Sequence, residues 1–323
     1  MTNHDTHDED QVSTSDAYDY FKSEPFPIDD KNFPKFMAGV YDRVVRQGMH
    51  SLFLCKNGVD KQGDITTEDI DGVQAFPYIR TVSVSGLKQH TFEYFVRRYG
   101  HQFKAIRFCN CHRVEDWSLL GTLPKLEYLY WEGNKCVSTL WDMRGNKFLR
   151  GLGLSRITGL HDLKGIASAP ALKYFYIDDM DRETGKRSTV AYLTSLEGLA
   201  TSCLQEVVID VRKVQDTCPD FVDKMPYLRT LQFPPELFSA MQVAWMIANF
   251  PRLTGQSLCP MIETTVASGE RTLPAVRMVG KGRPTLVREG NEQRIRQYRK
   301  KFLAMVEMFR DVPYDMALKL DQT

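Results

Sequence analysis

FKAIRFCNC (103–111), LEYLYWEGN (126–134), LRGLGLSRI (149–157) and LKYFYIDDM (172–180) are four copies of one phrase. Each opens on a large apolar residue, passes two others, and then sets two further apolar residues two positions apart. The starts at 103, 126, 149 and 172 keep a constant step of 23 residues. Apolar residues two apart point to one side of a strand, so each copy predicts a short strand with one buried face. Between copies the apolar residues fall at every third position, as in Ile157, Leu160, Leu163 and Ile166. That spacing predicts a short helix or 3₁₀ turn that carries the chain back. A fixed period of this size predicts an α/β solenoid, in which a parallel sheet grows by one strand per unit and neighbouring units share a continuous core.

Working outward, the same anchors recur at Ile79, Val82, Val84; at Leu204, Val207, Ile209; and at Leu228, Leu231, Phe233. A degenerate first copy is read at Met49, Leu52, Leu54, and a further one at Leu273, Val276, Met278. The step stretches to 32 residues between Leu172 and Leu204, and the surplus lies in or near DDMDRETGKRST (178–189), a charged stretch that predicts a projecting rim loop. Residues 1–24 are acidic and polar and predict a disordered tail. Residues 25–78 hold an N-terminal capping helix after Pro34 and the degenerate first copy. The repeats occupy 79–260, and 261–323 form a C-terminal cap whose helix carries Ile295, Tyr298, Phe302, Met305 and Phe309 on one stripe.

These anchors, with Cys111 and Asn134 three positions after the last of them, resemble the leucine-rich-repeat family in its short-repeat, bacterial-like type of about 22 to 24 residues. The resemblance implies a curved sheet on the concave side, helical or 3₁₀ returns on the convex side, and an Asn or Cys side chain that hydrogen-bonds backbone inside each turn. The slot holds Leu87, Ile157, Met180 and Arg212 in other copies, which departs from the pattern and predicts irregular turns.

Strand alternation then names a solvent face. Arg107; Tyr128, Tyr130, Glu132; Gly151, Gly153; Tyr174, Tyr176, Asp178; and Glu206, Asp210 fall opposite the anchors. Two tyrosine pairs flank a strand whose outward positions beside them are Gly151 and Gly153, which predicts a shallow trough walled by phenols, with acids at its margin. Arg107, Tyr128, Tyr130, Glu132, Tyr174, Tyr176, Asp178, Glu206 and Asp210 are therefore the candidate partner-binding residues. The expected partner is a protein with an exposed basic segment, held by aromatic and charge-assisted contacts.

Composition sets the remaining bounds. The chain has 323 residues, 42% apolar and 26% charged, enough for a continuous core. A formal net charge of +1 leaves no overall field to attract nucleic acid or an anionic membrane. No apolar run reaches a membrane span, and the N-terminus lacks the features of a secretory signal, so a cytoplasmic location is expected. Seven scattered cysteines argue against a disulfide framework, and no pair faces a second pair or two histidines, so no metal or other cofactor is expected. The histidines are isolated, no nucleophile elbow or HExxH is present, and Gly280-Lys281-Gly282-Arg283 lacks the spacing of a phosphate loop. The reading is a non-catalytic interaction scaffold, with an immunity or regulatory role that neutralises a cognate protein by covering it. Two alternatives stand beside it: a nucleic-acid-associated protein using the basic C-terminal cap around Lys300 and Lys301, and a secreted effector whose N-terminus is an export address.

Overall fold

The structure, a computed structural model, describes residues 51–54, 65–179, 193–200, 203–268, 271–288 and 290–320. The tail, the capping helix after Pro34 and all but the first two residues of the rim stretch lie outside the described residues. The chain is a mixed α/β fold built on an eight-stranded sheet in the order β1-β2-β3-β4-β5-β6-β8-β10. Its strands are Ser51–Leu54 (β1), Thr81–Ser85 (β2), Ala105–Cys109 (β3), Tyr128–Asn134 (β4), Gly151–Ile157 (β5), Tyr174–Asp178 (β6), Glu206–Asp210 (β8) and Thr230–Gln232 (β10). Every pairing in it is parallel. The register follows the sequence phrase, with Ile106, Leu129, Leu152, Phe175 and Val207 side by side.

One face of this sheet carries the core. Val82, Val84, Ile106, Phe108, Leu129, Trp131, Leu152 and Leu154 are all fully buried in one continuous apolar cluster. Thr67–Asp71 forms α1, and Gln89–Arg98 forms α2 between β2 and β3. Later returns are shorter, 3₁₀ turns at Ser118–Thr122, Lys164–Ser168, Glu197–Leu199 and Pro219–Lys224. The shorter returns have room only for small residues where neighbouring turns touch: a Cβ on Gly145 would stand 2.0 Å from the carbonyl oxygen of Gly121. Aromatic rings fill the core beneath α2. Phe92 meets Phe108 and Trp131 edge to face at 5.5 and 5.6 Å, and Trp117 meets Trp131 at 5.0 Å.

Part of the interval between Leu172 and Leu204 lies within the described residues. Leu193–Ser195 (β7) pairs in parallel with Val214–Asp216 (β9) as a separate two-stranded sheet. Asp178 and Asp179, read as the start of the projecting loop, are instead 3% and 1% exposed. Asp179 is held there because its carboxylate accepts the backbone N–H of Arg212 at 2.6 Å.

The copy read at Leu273, Val276, Met278 does not join the large sheet. Those residues lie in Arg271–Met278 (β12), antiparallel to Met261–Ser268 (β11) and to Thr285–Leu286 (β13). Period-two alternation fixes which side chains share a face and is silent on the direction of the neighbour. Ala240–Asn249 (α3), Glu292–Met308 (α4) and Tyr314–Leu320 (α5) close this end. α3 starts at a reciprocal cap in which Ser239 Oγ accepts the Gln242 N–H and the Gln242 side chain accepts the Ser239 N–H. On α4 the expected stripe faces inward, with Phe302 and Met305 buried, and the Trp245 indole of α3 donates to the Val312 carbonyl at 2.7 Å.

At the other end, the Asp71 carboxylate accepts the hydroxyls of Tyr99 and Tyr94 at 2.6 and 2.7 Å, with Arg98 at 3.4 Å. These hydrogen bonds, Tyr99 first, hold its carboxyl below its ordinary value despite some desolvation. A depressed folded-state pKa contributes stability above the unfolded pKa, and that contribution is lost as pH falls through the folded one. Asp71→Asn is expected to cost about 1 kcal/mol at pH 7, after discounting for solvent screening, and nothing at pH 2. Urea titrations of both proteins between pH 7 and pH 2 check this; a gap that stays constant over that range contradicts it.

Candidate functional site

The face opposite the core is organised in rows, because parallel strands in register set equivalent residues side by side. Arg107, Tyr130, Gly153, Tyr176 and Val208 make the middle row. Tyr128, Gly151, Tyr174 and Glu206 lie on its N-terminal side, and Cys109, Glu132, Ser155, Asp178 and Asp210 on its C-terminal side. All nine candidate residues therefore fall on one face of the sheet.

Their depths differ, and the trough is largely filled. Tyr130 and Tyr176 are each 4% exposed and join Val208 in a second apolar cluster, separate from the main core, with Tyr174 packed against it. Gly153 leaves the space between them, and phenol rings on either side take it up. Arg107, 5% exposed, places its guanidinium carbon 5.6 Å from the Tyr130 ring centre. Its Nη2 donates to Glu132 at 2.7 Å. Asp178 accepts the Ser155 hydroxyl at 2.6 Å on one oxygen and the Tyr176 hydroxyl on the other. Glu206 is buried as well. Tyr128, Tyr174, Glu132 and Asp210 remain half-buried and reach solvent. Arg107, Tyr130, Tyr176, Asp178 and Glu206 thus form a packed floor, and the other four candidates stand on it.

The charge of this face is more balanced than the count of acids suggests. Glu132 lies between Arg107 and Arg156, the latter at 3.9 Å. Alternation along β5 assigns Arg156 to the core side, so the sequence reading missed it. Its φ of +54° turns the backbone out of the regular strand and brings the guanidinium to the open face. The only signal in the sequence is a charged residue at a position of core parity. Burial pushes the Tyr174 phenol up, with Tyr128 and Glu206 adding to the shift and Arg150 and Arg229 opposing it.

The turn beyond the face matches the hydrogen bonding that the resemblance implied. Asn134, fully buried, donates to the carbonyls of Cys111 and Val114 and accepts the N–H groups of Cys136 and Val137. Cys111 donates to the Cys109 carbonyl at 3.2 Å, and burial pushes its thiol up to about 12, which keeps it protonated. Cys109 sits against the Ser83 hydroxyl at 3.9 Å. Among the described residues, no group of three His, Cys, Asp or Glu side chains converges on a point where a metal ion could sit. No helix among them is long and apolar enough to cross a membrane.

No family model matches the chain, and no curated protein matches it. Among solved structures, the chain is similar to a crystal structure of an internalin (inlF) from Listeria monocytogenes, at 14% identity and a TM-score of 0.41. That match covers 70% of this chain and 69% of the other.

Proposed function

We propose that the chain is a non-catalytic leucine-rich-repeat solenoid that binds a protein partner in the cytoplasm through the open face of its eight-stranded sheet. The observation that carries this reading is the two-level build of that face. Half-buried Tyr128, Tyr174 and Asp210 reach solvent above a buried layer of Tyr130, Tyr176, Arg107 and Asp178, with Glu132 held between Arg107 and Arg156. Side chains whose rotamers are fixed from below lose little entropy on binding, which favours tight contact at amphipathic phenols. An acid, Asp210, that reaches solvent on the same face as two tyrosines suits an exposed Lys or Arg on the partner, through a charge-assisted hydrogen bond and a cation resting on a ring. A role in immunity or regulation, by covering a cognate protein, fits a surface of this kind.

The test is a pull-down from the source cell with wild type and a Tyr128→Ala, Tyr174→Ala variant, followed by calorimetry on the captured partner. Both tyrosines reach solvent, so the fold is expected to survive their loss. The expected result is a drop in affinity of roughly 30-fold or more, the size of one interfacial hot spot. Equal affinity of the two proteins would remove the open face from the binding site.

A further inference from the structure

A second surface runs along the N-terminal edge of the same sheet, where the chain enters each strand. Backbone hydrogen bonds tie these residues into a ladder: the Lys173 N–H donates to the Arg150 carbonyl, Gln205 to Lys173, and Arg229 to Gln205, each at 2.8 Å. Arg150, Lys173 and Arg229 are all exposed, and Lys147 lies on the preceding turn. Among the described residues none of these four cations has an ion pair, whereas Lys104, further along the same ladder, is closed by Glu127 at 2.7 Å. The unpaired stretch from Arg150 to Arg229 spans three strand spacings, about 14 Å.

Beside it is a cavity of about 430 Å³ with Lys147, Arg150 and Lys173 on its wall. Phe148 and Tyr227 line the same cavity, yet they are 57% and 61% exposed. Two large rings left mostly in water around a cationic depression are a surface that gains by being covered.

We propose that this edge binds a short, extended acidic peptide segment of a partner protein, with carboxylates on Arg150, Lys173 and Arg229 and one apolar side chain between Phe148 and Tyr227. An extended chain advances about 3.4 Å per residue, so four or five residues match the 14 Å run and carboxylates two apart fall about 7 Å from each other on one side. Guanidinium forks suit carboxylates of this kind. A single-stranded nucleic acid fits less well. Its charge repeats along its whole length, while the free cations stop at Glu127 on one side and the neutral Gln205 interrupts them on the other. This surface adjoins the N-terminal row of the open face, where Arg150 and Arg229 act on Tyr174, and its charge preference is opposite.

The probe is a fluorescein-labelled peptide, Gly-Glu-Phe-Glu-Asp-Glu-Gly, titrated with the full chain and followed by anisotropy. Saturable binding is expected, with affinity lowered about tenfold for each cation reversed, hence about 100-fold in Arg150→Glu, Lys173→Glu. Phe148→Ala should weaken the Phe peptide several-fold and leave a peptide with Ala in place of Phe unchanged. Lys301→Glu, a charge reversal on α4 outside both surfaces, should not affect the peptide, and the open-face test reads a captured partner rather than the peptide, so failure here and failure of the open-face reading are distinguishable. All these side chains reach solvent, so the variants are expected to fold, which circular dichroism checks. The proposal is overturned by absence of binding at millimolar peptide, by indifference to the double reversal, or by tighter binding of a ten-nucleotide oligothymidylate than of the peptide.

Discussion

Replacing Asn134 with alanine is expected to destabilise the protein by about 4 kcal/mol, because one small side chain satisfies four backbone groups at once, three of them in fully buried hydrogen bonds. Its amide donates at 3.0 and 2.8 Å to the carbonyls of Cys111 and Val114, and its carbonyl oxygen accepts at 2.9 Å from both Cys136 and Val137. The side chain has no exposed surface. Each group stranded without a partner costs on the order of 1–3 kcal/mol, and relaxation of the turn recovers part of the sum. For a chain of this size the loss corresponds to roughly 6 °C in Tm. Asn134→Asp should be nearly as harmful at pH 7, since it removes both donors and leaves a carboxylate in a dry site. The effect reaches the open face, because Asn134 is the last residue of β4 and the strand behind it carries Tyr128, Tyr130 and Glu132. Thermal and urea unfolding of the variants measures the cost. A loss below about 1 kcal/mol would mean that water takes over the stranded groups, and that the Asn134 side chain does not hold the turn together.

The contrast between Asn134 and Asn146 shows what could be read from the residues alone. Asn134 follows its strand anchors at a fixed offset, so periodicity points straight at it. Asn146 is buried just as deeply, donates to the carbonyls of Leu120 and Leu123 and accepts the indole N–H of Trp141 at 2.8 Å, yet it sits in no repeating slot. Nothing local distinguishes it from a surface asparagine. The same limit applies to the candidate site. Parity along each strand is a local property and placed every candidate residue on the correct face. Depth depends on what neighbouring strands leave empty. Tyr130 and Tyr176 close over the gap beside Gly153, and Asp178 is drawn down by Ser155 and by the Tyr176 hydroxyl. A wall in the sequence became a floor in the fold. The edge cavity was illegible for a related reason. Lys147, Phe148, Lys173 and Tyr227 come from three different units and meet only when those units stack.

Trp131 separates packing from hydrogen bonding in the core, and two substitutions there should behave very differently. The side chain is fully buried, with its ring centre 4.4 Å from Phe108, 5.0 Å from Trp117 and 5.6 Å from Phe92. Trp131→Ala deletes the hub of this aromatic group, and a cost of about 4 kcal/mol is expected from lost burial and the cavity left behind. The indole N–H, however, is buried and finds no hydrogen-bond partner among the described residues. An unsatisfied buried donor costs on the order of 1–3 kcal/mol in the wild type itself. Trp131→Phe removes that donor while keeping a ring against Phe108 and Trp117, so the two changes oppose each other. Its net cost should stay below about 1.5 kcal/mol, the range of tolerated apolar exchanges in cores. Because Trp131 lies between Tyr130 and Glu132 on β4, the alanine variant should also loosen the open face, while the phenylalanine variant should bind the partner as wild type does. Urea unfolding of the two variants decides the matter. If Trp131→Phe proves as damaging as Trp131→Ala, the N–H has a partner, such as a buried water, and the ring size alone sets the stability of this end of the sheet.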